Sequence, residues 1–371
     1  MATTKKTATD DKEVSAPSLG TYLKQLSKLA GASQDVNLER HKKGTKLTVV
    51  GQGTVASCLA PIKLADEDFR FVVQSAAIDA ALSGSLTANP ITSLSYNDGS
   101  LFIKRSRSSF EIISKEATAI PAVESVKEGY VNIEMNADFW NMLTTALPYL
   151  KLEKVSSTQP DARLFVDATE KAVFIGTYDS FQMAFVSRKN TTGVTGSFNV
   201  PYSRLLTILK DLPNAGKTSL YFGEDVLIVK SDGFAASYAT SPLAENDPKG
   251  ADVKSKAKEI SGIEAATLTF SSADLEEIIN SMKAVAQDDT KVTFTANNTT
   301  ALLESTSSFG SAKAKLQLQS KPKEAVKFAL ELKFLRNLIS KSKEELNFCI
   351  VDNTLVLRTP SVTYVTVTSD L

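Results

Sequence analysis

Nucleophilic or metal chemistry in this chain would have to rest on one histidine, His41, and two cysteines, Cys58 and Cys349. A Ser-His or Cys-His pair needs an imidazole as its base. His41 stands in Glu39-Arg40-His41-Lys42-Lys43-Gly44, a stretch that reads as an exposed turn. So few ligands cannot build a structural zinc site or a disulfide framework, and isolated thiols fit a reducing compartment. Asp10-Asp11 and Asp288-Asp289 are adjacent carboxylates. Neighbours in sequence point apart in most conformations, so these pairs read as solvated loop charge rather than a magnesium site. Gly51-Gln52-Gly53 is too short to cradle a phosphate and reads as a turn between strands. No Walker A loop, dinucleotide fingerprint or HExxH is present. The inventory points to a binding or structural role, with no catalysis, cofactor or metal.

The elements that would position any binding residues follow from composition and pattern. The 371 residues are 42% hydrophobic and 23% charged, an ordinary globular balance that suits two or three domains. Lys+Arg and Asp+Glu are 42 each, so overall positive charge cannot hold the chain to nucleic acid. DNA contact would need charge segregated onto one face. No run approaches the ~18 apolar residues of a membrane span. The start, Met1-Ala2-Thr3-Thr4-Lys5-Lys6, lacks the apolar segment of a secretory signal. A soluble, cytoplasmic protein is expected.

Internal repetition carries the architecture. Leu94, Leu220 and Leu346 stand at equal intervals of 126 residues, as do Tyr96, Phe222 and Phe348. Each set follows a similar segment beginning at Phe71, Phe198 or Phe328. Three domains of one type follow. Each divides into two halves, and each half reads as a strand, a helix of about three turns and three further strands. Helices are expected to begin near Ser18, Gln74, Asn136, Pro201, Ser271 and Glu331. Ser271 and Asn136 are N-cap types, Pro201 suits a first turn, and Leu275, Ile278, Ile279 and Met282 form one apolar stripe. Lys291-Val292-Thr293-Phe294-Thr295 alternates polar and apolar residues, as a half-buried antiparallel strand does. Asn97-Asp98-Gly99, Glu170-Lys171 and Asp352-Asn353 read as hairpin turns.

Residues 1–14 read as a flexible tail, 15–121 as the first domain, 129–241 as the second, 242–262 as a linker and 263–371 as the third. The predicted class is α+β, with antiparallel sheets outside and two amphipathic helices per domain packed against them.

Three domains, each a doubled strand-helix-three-strand unit, resemble the bacterial type of DNA polymerase sliding clamp. Two local segments add to the likeness. Thr177-Tyr178-Asp179-Ser180-Phe181-Gln182-Met183-Ala184 is similar to the family's second-domain segment Thr-Asp-Gly-His-Arg-Leu-Ala, with one residue added and the Gly, His and Arg replaced. Tyr364-Val365-Thr366-Val367-Thr368-Ser369-Asp370-Leu371 is similar to its terminal Tyr-Val-Val-Met-Pro-Met-Arg-Leu. The divergence and the tail are compatible with a phage protein.

The resemblance implies a ring of two chains, head to tail, with helices lining a hole for duplex DNA. It implies a processivity factor that tethers a replicative polymerase without reading sequence and works with a clamp loader. The expected DNA contacts are Lys24, Lys28, Arg105, Arg107, Arg204, Lys210, Lys333, Arg336 and Lys341. Helical acids Asp79, Asp138, Asp211, Asp274, Glu276, Glu277 and Glu331 make the basic bias thin. The resemblance also implies a pocket for short partner peptides, carried here by Leu164, Thr177, Phe181, Met183, Pro242, Val365, Val367 and Leu371. Adaptable apolar side chains suit such a pocket. The competing readings are a ring of the same fold serving late transcription or repair, and a structural repeat protein that does not engage DNA.

Overall fold

The computed structural model describes residues 35–51, 53–83, 89, 91–117, 119–154, 161–179, 181–211, 218–231, 233–240, 250–263, 267–351 and 353–368. The expected tail and first helix, with Lys24 and Lys28, lie outside them, as do Pro242 and Leu371.

The described chain opens with strands β1 (Asp35–His41), β2 (Gly44–Gly51) and β3 (Thr54–Ala60). Next come β4 (Arg70–Gln74), helix α1 (Ser75–Ala81), β5 (Ile91–Asn97), β6 (Ser100–Arg105), β7 (Ser108–Ile113) and β8 (Lys115–Glu116). A second series is β9 (Val131–Met135), α2 (Ala137–Ala146), a 3-10 turn (Leu147–Leu150), β10 (Arg163–Ala168), β11 (Ala172–Tyr178) and β12 (Gln182–Lys189). It continues with β13 (Gly196–Pro201), α3 (Tyr202–Asp211), β14 (Thr218–Phe222), β15 (Val226–Ser231) and β16 (Phe234–Ala239). After α4 (Gly250–Ser261) come β17 (Thr267–Ser271), α5 (Ser272–Met282), β18 (Lys291–Ala296), β19 (Thr300–Ser307) and β20 (Gly310–Gln317). The last set is β21 (Val326–Glu331), α6 (Leu332–Ile339), β22 (Glu345–Val351), β23 (Thr354–Arg358) and β24 (Thr363–Val367).

The strand-helix-three-strand unit thus appears at β4–β7, β9–β12, β13–β16, β17–β20 and β21–β24, and the class is α+β. Cap chemistry fixes two helix starts as expected. Asn136 Oδ1 accepts from Phe139 N at 2.9 Å, and Ser271 Oγ accepts from Asp274 N at 3.4 Å. The turns at Asp98-Gly99 and Glu170-Lys171 join β5 to β6 and β10 to β11. Asp98 and Gly99 both adopt positive φ, which Asn-Asp-Gly tolerates. Gly51 pairs with Thr54 across the β2–β3 hairpin, the turn read from Gly51-Gln52-Gly53.

Contacts divide the chain into two compact units, one of residues 1–130 with 211–240 and one of residues 131–210 with 241–371. In the first, one sheet runs in the order β8-β4-β1-β2-β3-β16-β15-β14 and another in the order β5-β6-β7. Its core includes Leu38, Leu47, Phe71 and Ile78, with Phe71 stacked on Tyr96 at 3.8 Å between ring centres. In the second, the orders are β13-β10-β11-β12-β24-β23-β22-β17 and β20-β19-β18-β21. Helices α5 and α6 pack together there, and their Leu275, Ile279, Met282, Leu332, Leu335 and Leu338 are all buried. Each such side chain contributes about 2 kcal/mol by leaving water.

Two pairing rules recur. The lead strand of a second half joins the sheet of the first half: β4 on β1, β13 on β10 and β21 on β18. The third strand of a first half then pairs antiparallel with the third strand of a later second half: β3 with β16, and β12 with β24. Strands β7 and β20, which hold the equivalent positions in the remaining halves, end their sheets.

The segment expected as a linker, 242–262, contains helix α4. Val253, Ala257 and Ile260 recur at helical spacing and are all buried. Lys254, Lys256, Lys258 and Glu259 of that segment lie exposed on the solvent face of this helix.

Candidate functional site

Strand parity decides which predicted pocket residues share a surface. Across the β10–β11–β12–β24 sheet, Tyr178 pairs with Met183, Met183 with Val365, and Val365 with Val356. Val367 pairs with Thr354 two residues on, so it lies on the same face. Helix α4 packs on this face, and its Val253, Ala257 and Ile260 join Phe165, Phe174, Phe185, Met183 and Val365 in one apolar cluster. Lys254 forms an ion pair with Asp167 at the edge of that contact. Burial opposes ionisation of Asp167, but bonds from Lys254 and Ser197 outweigh it and hold the carboxyl below its usual range. Gly250 opens the helix so close to the Phe165 ring that a Cβ there would meet it at 1.9 Å.

Along the other side of α4 runs a groove of about 610 Å³. Met183, Val365, Ile260 and Ile263 line it, with Phe181 and Val367 at its mouth. Phe181 is 50% exposed and Val367 52%, high values for large apolar side chains. Asp179 Oδ1 accepts from the Phe181 and Gln182 amides at 2.7 Å each, which fixes the loop that carries Phe181. Four of the eight expected pocket residues therefore converge: Phe181, Met183, Val365 and Val367.

Leu164 and Thr177 do not join them. They pair with each other across β10 and β11 and point to the opposite face, where both are fully buried. Thr177 Oγ1 donates to the Leu150 carbonyl. The expectation for these two is corrected by parity, since both stand out of phase with Met183 and Val365. Sequence reasoning also missed the contribution of α4, whose signal was the spacing of Val253, Ala257 and Ile260.

The opposite face holds a buried polar network. Tyr364 donates its hydroxyl to Gln182 Oε1, and Gln182 Nε2 donates to the Glu153 carbonyl at 2.5 Å. Lys341 Nζ donates to the Lys151 carbonyl at 2.6 Å and sits 5.4 Å from the centre of the Tyr364 ring. Lys341 is fully buried, which corrects the expectation that it contacts DNA. It follows Leu335 and Leu338 at intervals of three, so the turn after α6 carries it inward.

Arg105 is corrected likewise. It shares the buried face of β6 with Leu101 and Ile103 and is 5% exposed. Its guanidinium donates to the carbonyls of Ala81, Ser83 and Asn89 at 3.2, 2.7 and 2.8 Å, closing the C-terminal end of α1. The other basic residues stay nearer the surface. Arg107 is exposed in the β6–β7 turn, and Arg204 is half-buried on α3, the helix that also carries Lys210. Lys333 Nζ lies 2.7 Å from a Glu331 carboxylate oxygen, and Arg336 forms an ion pair with Asp288. The solvent faces of α2 and α5 carry Asp138, Asp274, Glu276 and Glu277. His41 sits at an exposed turn, its Nδ1 accepting from the Lys43 amide at 3.2 Å. Among the described residues, no three His, Cys, Asp or Glu side chains stand together as metal ligands. No described helix is long and apolar enough to cross a membrane.

No protein-family model matches the sequence, and no curated protein matches it. Solved structures do. The DNA polymerase III beta subunit of Thermotoga maritima is similar with a TM-score of 0.76 at 14% identity, over 95% of this chain and 97% of that one. The corresponding subunit of Pseudomonas aeruginosa gives 0.73 at 13% identity, over 95% and 98%. The DNA polymerase sliding clamp of Bacillus subtilis gives 0.73 at 13% identity, over 95% and 97%. The chain therefore has the sliding-clamp fold along nearly its whole length.

Proposed function

We propose that this protein is a DNA polymerase processivity factor: a ring that encircles duplex DNA, slides without reading sequence and tethers the replicative polymerase. It is not an enzyme, and it acts in the cytoplasm. The observation that carries this reading is the repeated joint between third strands, β3 with β16 and β12 with β24, on a fold shared with bacterial clamps. One pair of third strands, β7 and β20, remains at sheet edges. Pairing β7 of one copy with β20 of the next applies the same rule between chains and closes a head-to-tail dimer. An antiparallel joint would bring the C-terminal end of β7, with Ile113, against the N-terminal end of β20, beside Phe309. These residues are 81% and 66% exposed, which supports an apolar contact there.

In this reading the three domains span 15–121, 129–241 and 263–371, and α4 lies in the connection before the last. Lys24, Lys28, Arg107, Arg204, Lys210, Lys333 and Arg336 remain the candidates for phosphate contact. Carboxylates beside Lys333 and Arg336 weaken such contacts, which suits a topological link, where tight binding would impede movement. The groove with Phe181 and Val367 at its mouth docks short segments of the polymerase and of a clamp loader.

The test is retention on DNA. Protein assembled on a nicked circular plasmid with a loader should co-elute with it at high salt and be lost when the plasmid is linearised. Equal loss from circle and line would refute encirclement, and a strict monomer by light scattering at micromolar concentration would refute the dimer.

A further inference from the structure

We infer that the buried bond between Tyr364 and Gln182 positions the docking groove from the reverse face of the sheet, by fixing the register of the joint between β12 and β24; this goes beyond the docking role proposed above and rests on it. The groove draws on both sides of that joint. Met183 lies on β12 with Phe181 just before the strand, and Val365 and Val367 lie on β24. The joint is short. Among the described residues it pairs Gln182 with Thr366, Met183 with Val365, Ala184 with Tyr364 and Phe185 with Thr363. On the groove side Met183 meets Val365 through apolar atoms, which hold no directional bond that a slip would break. A slip of two residues would keep every side chain on its face and set Met183 against Val367 or Thr363. Phe181 would then meet a different part of β24, and the groove would change shape.

The reverse face supplies the direction that the apolar side lacks. Gln182 and Tyr364 are both buried there, and Tyr364 donates its hydroxyl to Gln182 Oε1 across the joint. The Gln182 amide is also held by the backbone of Glu153. Its Nε2 donates to the Glu153 carbonyl at 2.5 Å, and its Oε1 accepts from the Glu153 N–H at 3.3 Å. On the other strand, Asn337 Nδ2 lies 3.5 Å from the Tyr364 hydroxyl, and Lys341 Nζ lies 5.4 Å from the centre of its ring. Each partner is thus anchored to a segment outside the two strands. A slip would carry the hydroxyl away from Oε1 and leave it without that acceptor where water does not reach. A buried polar pair of this kind selects one register among those that apolar packing alone would allow.

A fluorescein-labelled peptide with uncharged side chains, Gly-Ser-Leu-Phe-Leu-Gly, tests this on the full chain by anisotropy. Tyr364→Phe removes one oxygen, and Gln182→Met removes the amide at nearly constant volume. Each should weaken the peptide about fivefold in protein that circular dichroism shows to be folded. Amide hydrogen exchange should quicken in residues 182–185 and 363–367 and stay unchanged in β18 and β19. The double variant should bind no more weakly than Gln182→Met alone, because both changes act through one bond. Phe181→Ala in the wild type should weaken the peptide, which places it in this groove. A bond that serves stability alone would lower the urea midpoint and leave the affinity of the folded protein as it was. That result, or losses that add in the double variant, would overturn the positioning role and leave the docking role standing. Should Gln182→Met fail to fold, the affinity and exchange of Tyr364→Phe decide the question. Failure of the peptide to bind the wild type, or binding that Phe181→Ala leaves unchanged, would overturn the docking role and this inference with it.

Discussion

Replacing Lys341 with Met removes a buried charge without leaving a cavity. Desolvation is the main reason its ammonium titrates so low, at about 7. The Glu153 charge raises it in part, and Lys151 pushes it further down. An unfolded lysine titrates near 10.5. The unfolded chain therefore holds more protons than the native one between these values, and stability must rise with pH across that window. The full interval corresponds to ~5 kcal/mol, of which about 2 kcal/mol falls between about pH 7 and 9. In Lys341→Met this slope should vanish. The Lys151 carbonyl would keep Asn337 Nδ2, at 3.3 Å, as a donor. Trp140, the only tryptophan in the chain, lies buried on α2 in the same compact unit and reports its unfolding. Urea unfolding followed by Trp140 fluorescence should thus give a pH-dependent midpoint for the wild type and a flatter one for the variant. Parallel curves between about pH 7 and 9 would show that Lys341 keeps an ordinary pKa, and the argument from burial would fail.

Ile113→Asp at the open end of β7 should leave circular dichroism unchanged and convert the dimer to monomer by light scattering; an intact dimer would exclude that edge from the joint. Arg105→Met should cost about 2–3 kcal/mol by leaving carbonyls at the end of α1 without their donor, measured by thermal unfolding, and should not alter DNA retention in the protein that remains folded. The pair Phe181→Ala and Val367→Ala should change stability by less than about 0.5 kcal/mol, because both side chains are half exposed, yet abolish capture of the polymerase in a pull-down. Undiminished capture would move the docking site elsewhere.

What the sequence made legible is what depends on neighbours along the chain. Asn136 and Ser271 announce their helices because an N-cap needs only its own side chain and an amide three residues on. Gln74 and Glu331 close their strands at the expected points although neither side chain caps the helix that follows, so there the apolar period carried the signal. The repeat at Leu94, Leu220 and Leu346 survives because each falls in the first strand after a helix, β5 after α1, β14 after α3 and β22 after α6. Helix α4 was legible by the same local test, but its charged face resembled a linker and hid the stripe beneath.

The misplaced residues share a different cause. Arg105 was assigned by residue type, and Leu164 and Thr177 through the resemblance, while their orientation is set by strand phase. A strand's side chains alternate faces, so a residue one step out of phase lands on the other side of the sheet whatever its chemistry. Phe165 and Leu164 are adjacent and both buried, one beneath α4 and the other on the opposite face. When both faces of a strand are covered, hydrophobic alternation disappears, and composition no longer says which face is which. Only a partner strand resolves it: the Met183–Val365 pair, between residues far apart in the chain, fixes the phase of β12 against β24 and with it the groove. Lys341 extends the point beyond strands, because its helical period with Leu335 and Leu338 outweighed its charge in deciding which way it faced.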